Sequence, residues 1–232
     1  MVKRKWVYIP MVVVLTILIS LGAGASPFTN QRTAEVSNVP EPASQVRLPT
    51  GDYGASGTWA VFPASPTTKW DKVDEFPSDD DATYLTHGTT AGNALYTFPV
   101  FSVPTGATIT NLEVSYTARD VTSGVNNVRA ALRIGGTNYL TTDTGVDPNI
   151  NYVTYTCTFK TNPKTALAWT VADINGTGTN PLQAFGVNSS DANPQVRITQ
   201  VKITVNYTAE PTSVETTTLD ITPYAAMDDG VL

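Results

Sequence analysis

The chain is short of the residues that most enzyme chemistry uses. It has one histidine, His87, and one cysteine, Cys157. A single cysteine closes no internal disulfide, which excludes a disulfide-stapled scaffold. A single histidine excludes H-E-x-x-H and His-rich zinc patterns, and no G-x-S-x-G nucleophile elbow occurs. Cations are outnumbered: 14 Lys plus Arg face 20 Asp plus Glu, a net charge of −6. Such a surface repels phosphate backbones, so nucleic acid is not an expected partner, and divalent cations suit it better. No 20–50-residue repeat is visible. Helical periodicity is nearly missing too; one turn-length stretch near 165–173, "TALAWTVAD", carries it.

What is present starts with "MVKRKWVYIPMVVVLTILISLGAGASP". A basic cluster (Lys3, Arg4, Lys5), an apolar run from Val7 to Leu21 and the A-x-A pattern Ala23-Gly24-Ala25 follow in the order of a secretory signal. Residues 1–25 are therefore expected to form a signal helix that is cleaved on export, an uncleaved membrane anchor being the rival. The membrane enters only through this segment. Its removal lowers Lys plus Arg from 14 to 11 and leaves a net charge of −9.

Residues 26–54 hold Pro27, Pro40, Pro42 and Pro49 without sustained periodicity and read as a linker or extended arm. From 55 to 208 the pattern is β throughout. "ATITNLEVSYTAR" (107–119) and "QVRITQVKITVNYT" (195–208) alternate, and the slip between Ile109 and Leu112 predicts a bulge. "NVRAALRIGGTNYL" reads as two strands joined at Gly135-Gly136. In "NYVTYTCTFK", Tyr155, Cys157 and Phe159 share the more apolar face, so Cys157 is expected to be buried. Strands separated by Gly, Pro, Asn and Asp turns predict an all-β fold: a single antiparallel, jelly-roll-like β-sandwich with extended terminal arms. In the tail, residues 209–232, "SVETTTLDITPY" has short alternation. It is expected to pair as a strand within its own chain or with a neighbouring subunit, a disordered end being the alternative.

The densest chemistry is "WDKVDEFPSDDDATYL", with Asp71, Asp74, Glu75, Asp79, Asp80 and Asp81. A glycosidase holds two carboxyl groups about 5–9 Å apart across a cleft, usually from separate strands; one loop is a poor source of that pair. Calcium takes six to eight oxygen ligands, and Asp74, Glu75, Asp79, Asp80 and Asp81 are the candidate set. The spacing is not that of an EF-hand, and a solvated acidic loop is the equal alternative. Trp59, Trp70, Tyr96, Tyr116, Tyr139 and Trp169 could form a sugar platform, although core packing is the ordinary use of each. Trp169, between turn signals in "NPKTALAWTVADING", is the best single platform candidate. The sequons at Asn175 and Asn188 are candidate glycan acceptors; that at Asn206 lies within a strand.

"VDEFPSDDDATYL", "YTFPVFSVPTGATITNLEVSYTAR", "LRIGGTNYL", "NPKTALAWTVADING" and "VRITQVKITVNYT" in this order resemble a jelly-roll-type domain of uncharacterised extracellular and phage-associated proteins. "FSVPTGATITNLEVSYTA" is also similar to the strand–turn–strand of carbohydrate-binding β-sandwich modules. The resemblance spans about residues 59–208, implies a non-enzymatic role, and transfers no functional residue. Two readings follow. The first is an exported structural subunit of a cell-surface or extracellular assembly, a filament or surface layer, self-associating by strand addition through its arms. The second is a carbohydrate-binding module with a calcium-stiffened loop and a polysaccharide partner. A virion surface protein is a weaker third, against which the signal sequence argues.

Overall fold

The two longest alternating stretches of the sequence become its two longest strands and lie side by side. The structure is a computed structural model. It describes residues 31–33, 40–87, 90–121, 126–142, 144–146, 151–189, 196–210 and 218–220. The signal segment 1–25 falls outside them. In chain order the strands are β1 (Gln31–Thr33), β2 (Pro42–Arg47), β3 (Gly51–Ala55), β4 (Trp59–Phe62), β5 (Tyr84–His87), β6 (Gly92–Thr97) and β7 (Thr108–Asp120). They continue with β8 (Asn126–Ile134), β9 (Thr137–Leu140), β10 (Thr144–Val146), β11 (Val153–Phe159), β12 (Leu182–Ser189), β13 (Val196–Thr208) and β14 (Thr218–Asp220). One helical turn, α1 (Val171–Ile174), precedes β12.

Among the described residues, Pro40–Glu210 form one unit containing two antiparallel sheets. Sheet I runs β10-β8-β12-β6-β3, with β9 also on β8; sheet II runs β11-β7-β13-β5-β4, with β2 also on β13. Their inner faces make one core. Tyr96, Leu132, Ile134, Phe185 and Val187 come from sheet I, and Leu85, Leu112, Val114, Tyr116, Ile198 and Ile203 from sheet II. Each such side chain, fully removed from water, contributes about 1.5–3 kcal/mol before the entropy of ordering it is counted. The Tyr116 hydroxyl donates across the core to the Val128 carbonyl at 3.2 Å, tying β7 to β8. This is the jelly-roll-like all-β sandwich the alternation predicts.

Two bulges distort the β7–β13 ladder. Ile109 pairs with Tyr207 and Asn111 with Asn206, so Thr110 is the extra residue at the expected slip. The second was not expected. Ile198 pairs with Ala118 and Gln200 with Thr117, which leaves Thr199 over. That bulge aims the buried Thr199 hydroxyl at Asp79, 2.9 Å away.

Within residues 26–54, expected to be a linker or extended arm, two segments are strands. They supply β2 to sheet II and β3 to sheet I. Both pair on one side only, and β2 alternates between exposed and half-buried positions. An edge strand of this kind tolerates Pro42 and needs no long apolar run, so its signal is faint. β6 stops at Thr97, ahead of Pro99. Side chains of β2 replace the missing ladder. Arg47 Nε donates to the Pro99 carbonyl (3.1 Å), Gln45 Nε2 donates to the Ser102 carbonyl (3.0 Å), and the Ser102 N–H donates to Gln45 Oε1 (3.1 Å).

Outside this unit, β1 and β14 pair antiparallel, with Arg32 opposite Leu219. Part of the tail stretch 213–223 is thus a strand, and its partner is the N-terminal arm of the same chain. Among the described residues no helix is long and apolar enough to cross a membrane.

Candidate functional site

The acidic loop places its carboxylates in two groups. Asp81 faces one way and accepts from Arg119 Nη2 at 2.5 Å, Arg197 Nη1 at 2.7 Å and the Tyr152 hydroxyl at 2.8 Å. Burial works to raise its carboxyl, but the hydrogen bonds from Arg197 and Tyr152 and the charge of Arg119 outweigh it, holding Asp81 below the ordinary carboxylate range. Arg197 also lies 4.6 Å from the Tyr84 ring centre, and Tyr84 stacks on Phe62. Asp81 is thereby the hub of a network joining the loop to β7 and β13.

Glu75 and Asp79 face the other way and meet at one hydroxyl. Thr83 Oγ1 lies 3.0 Å from Glu75 Oε1 and 2.9 Å from Asp79 Oδ2, and its single proton serves one of them at a time. Burial pushes the Glu75 carboxyl up, with the Asp79 and Asp74 charges acting in the same direction. Asp74 is raised by burial and by the charges of Asp71 and Asp79. Asp80, with φ of 57°, is exposed and accepts from the Ser78 hydroxyl at 3.4 Å. The expected five-ligand calcium set, Asp74, Glu75, Asp79, Asp80 and Asp81, is therefore split. Among the described residues no three His, Cys, Asp or Glu side chains converge as a metal site. The chain answers Asp81 with arginines from two strands, which a sequence window around the loop does not contain.

Trp169 is no platform. It is 5% exposed in the core, and its indole N–H donates to the Phe159 carbonyl at 3.0 Å. A buried indole needs such a partner, and the turn before α1 brings it there. The other five aromatic candidates also lie in the core or pack against it. Cys157 is buried, as its strand face requires, and His87 is buried with its ring on Trp59. Both glycan candidates have engaged amides in the folded chain. Asn175 caps α1, donates to the Val103 carbonyl (2.9 Å) and accepts from the Val103 N–H (3.0 Å). Asn188 is buried and donates to Asn93 Oδ1 at 2.9 Å. Asn206 donates to Asn111 Oδ1 at 2.7 Å.

A second arrangement, which no sequence motif marks, is on the outer face of sheet I. Ala94, Tyr96, Ala130 and Leu132 point into the core, so Leu95 and Ala131 point out. Register aligns Gly54, Leu95, Gly186, Ala131 and Leu140 in one row across β3, β6, β12, β8 and β9. A Cβ on Gly186 would lie 2.0 Å from the Ala94 carbonyl oxygen, so only glycine fits there. Leu95, Ala131 and Ala184 form a separate buried cluster, Leu95 at 5% and both alanines at 0% exposure, although they face away from the main core.

Polar rows flank this cluster. On one side Arg129, Asn188 and Asn93 are in register; on the other are Asn138 and Arg133. Tyr53 is the extra residue of a bulge in β3, between Asp52 and Gly54. Its hydroxyl accepts from Arg133 Nε at 2.9 Å, with the guanidinium 5.3 Å from the ring centre, and Arg133 Nη1 donates to Asn138 Oδ1 at 2.8 Å. β6 and β12 lie between β3 and β8. The contact therefore spans three strand spacings, about 14 Å. Two side chains reach that far only by lying low across the sheet, over the β6 and β12 positions between them, where Leu95 and Ala184 are buried. The exposed aromatics Tyr53, Phe62 and Phe76 were not among the sequence candidates; each stands beside glycine or proline, outside any long alternating run.

No protein-family model matches the chain, and no curated protein matches it. Among solved structures, it is similar to a family 22 xylan-binding domain from Paenibacillus barcinonensis, at 11% identity and a TM-score of 0.40, over 73% of this chain and 97% of that one. It is similar to a family 11 carbohydrate-binding module from Clostridium thermocellum, solved with a β-1,3-1,4-mixed-linked tetrasaccharide, at 12% identity and a TM-score of 0.34, over 73% and 89%. A chain of infectious bursal disease virus, Gt strain, gives 13% identity and a TM-score of 0.29, over 80% and 37%. The chain is thus loosely similar to carbohydrate-binding β-sandwiches, and likenesses below a TM-score of 0.5 assign it no function.

Proposed function

We propose that the chain is an exported, non-enzymatic binding module that takes an extended saccharide along the outer face of sheet I. The observation that carries this reading is the outer face of sheet I, where Tyr53 and Arg133 lie across the buried Leu95, Ala131 and Ala184 and rows of amides and guanidinium groups stand in register beside them. With Leu95, Ala131 and Ala184 covered, the surface a polymer would meet is the Tyr53 ring and the polar side chains around it. The flanking amides and guanidinium groups supply donors and acceptors for hydroxyls, and the half-exposed Tyr53 ring offers an apolar face. The row from Gly54 to Leu140 crosses four strand spacings, roughly 19 Å, which suits an oligosaccharide better than a single sugar. Affinity electrophoresis through xylan and mixed-linkage β-glucan tests it. Retardation by at least one polymer, weakened by Tyr53→Ala and by Arg133→Ala, is expected; migration unaffected by any neutral polysaccharide contradicts it.

A structural-subunit role is the second reading. It is favoured by the pairing competence of Thr218–Asp220, which already forms a strand with Gln31–Thr33. Size-exclusion chromatography of the exported protein and of a form lacking 210–232 tests it, with polymers lost on deletion as the supporting result. Calcium at the acidic loop, where Glu75 and Asp79 meet at Thr83, is a separate proposal. A calcium-dependent rise in melting temperature, abolished by Glu75→Gln and Asp79→Asn, would add it as a stabiliser of the loop.

A further inference from the structure

A concavity lies on the sheet II side, where β2, the acidic loop and the segment after β6 meet. Val46, Leu48, Phe76 and Pro99 give it an apolar lining, Arg47 and Lys202 are its two charges, and its volume is about 410 Å³. That lies within the range of small-molecule pockets. Phe76 is 71% and Val46 46% exposed, so the apolar wall of the groove is open to solvent.

The two cations differ. Arg47 donates to the carbonyls of Val46, Pro99 and Val100 and to Gln45 Oε1, and lies 4.9 Å from the Phe101 ring centre. It is a structural clamp with little capacity left. Lys202 Nζ sits 5.2 Å from the Phe76 ring centre and, among the described residues, makes no ion pair. The groove thus presents an apolar body and one ammonium that, among the described residues, has a ring contact but no ion pair.

That combination selects its occupant. A saccharide would lose hydrogen bonds to water for each hydroxyl it buried here, with almost no partner in return. A peptide would do the same with its backbone groups. A compact molecule with an apolar body and a single carboxylate loses neither. We propose that this groove binds a small apolar carboxylate, an aliphatic or aryl acid, with its carboxylate on Lys202 and its body against Phe76, Val46 and Leu48. The site is independent of the saccharide face on sheet I and does not rest on that reading.

Calorimetry and amide-resolved NMR on the exported full chain test it, with octanoate as probe and octanamide as its neutral counterpart. Octanoate is expected to bind about ten-fold tighter than octanamide, the worth of one charge-assisted contact, and to shift the amides of Val46, Leu48, Phe76 and Lys202. Lys202→Gln should bring the two affinities together, Lys202→Arg should keep the preference, and Phe76→Ala should weaken both ligands. Phe76 is exposed and Lys202 half-buried, and equal melting temperatures of the variants check that the fold is intact. Absence of saturable binding, equal affinities in the unmodified protein, shifts away from the groove, or a preference that survives Lys202→Gln would each overturn the proposal.

Discussion

Replacing Trp169 separates a core plug from a ligand platform. The side chain is 5% exposed and its N–H is held by the Phe159 carbonyl. A buried Trp removes about 150–250 Å² from water, which at ~25 cal/mol per Å² corresponds to about 4–6 kcal/mol. Large-to-small replacements of buried aromatics cost about 3–5 kcal/mol, so the two figures agree. Trp169→Ala should therefore lose about 3–5 kcal/mol, a large part of the roughly 5–15 kcal/mol of an ordinary domain. Trp169→Phe keeps most of the area but leaves the Phe159 carbonyl without its donor, at about 1–3 kcal/mol. Urea unfolding followed by far-ultraviolet circular dichroism measures both, and an unchanged m-value shows that the midpoint shift is a change in stability. The reasoning fails if Trp169→Ala unfolds within ~0.5 kcal/mol of the unmodified protein while losing retention on a polysaccharide gel.

Three further outcomes are expected. Asp81→Asn breaks the hub to Arg119, Arg197 and Tyr152 and, because Asp81 is half exposed, should cost only about 1 kcal/mol at pH 7. Since its folded carboxyl lies below the unfolded value of ~3.9, that stabilisation is fully present above it and fades as pH falls through the lower folded value; the two thermal melts should converge on strong acidification, and a gap that persists there refutes the assignment. Glu75 has the opposite sign: its folded carboxyl is raised, so its contribution is favourable below the unfolded value and is lost as pH rises through the folded one. Glu75→Gln should raise the melting temperature at pH 7 and lose that gain in acid, and a lower temperature at pH 7 would show that the charge is needed. Gly186→Ala should cost about 1–3 kcal/mol by overpacking, because its Cβ meets the Ala94 carbonyl, whereas Gly54→Ala meets nothing within 4 Å and should stay within ~0.5 kcal/mol; equal losses would remove the case for a glycine-specific position.

The parts of the fold that the sequence announces are those with two-sided pairing and a buried face. β7 and β13 show their alternation, and the slip at Ile109 shows the bulge at Thr110, because a central strand must place every second side chain in the core. β2 and β3 are edge strands with one partner each, so their side chains carry little of that constraint, and the prolines around them read as linker. The acidic loop was legible as a feature but not as a function. Its meaning depends on Arg119, Tyr152 and Arg197, which only the sheet brings to Asp81. Trp169 misled for a related reason: turn signals on both sides suggest a surface position, whereas the chain there folds back over the core and buries the indole. The arrangement on sheet I was invisible because it is made by register. Gly54, Leu95, Gly186 and Ala131 are unremarkable residues until four strands align them.

The central claim, that an extended saccharide lies along the outer face of sheet I, is tested most directly by titrating the isotope-labelled protein with xylohexaose and with a mixed-linkage β-glucan oligosaccharide while following backbone amides. With at least one of them, saturable shifts are expected at Tyr53, Leu95, Ala131, Arg133, Gly186 and Asn188, with those of Phe76 and Lys202 unmoved. Shifts confined to sheet II, or none with either oligosaccharide, would contradict it.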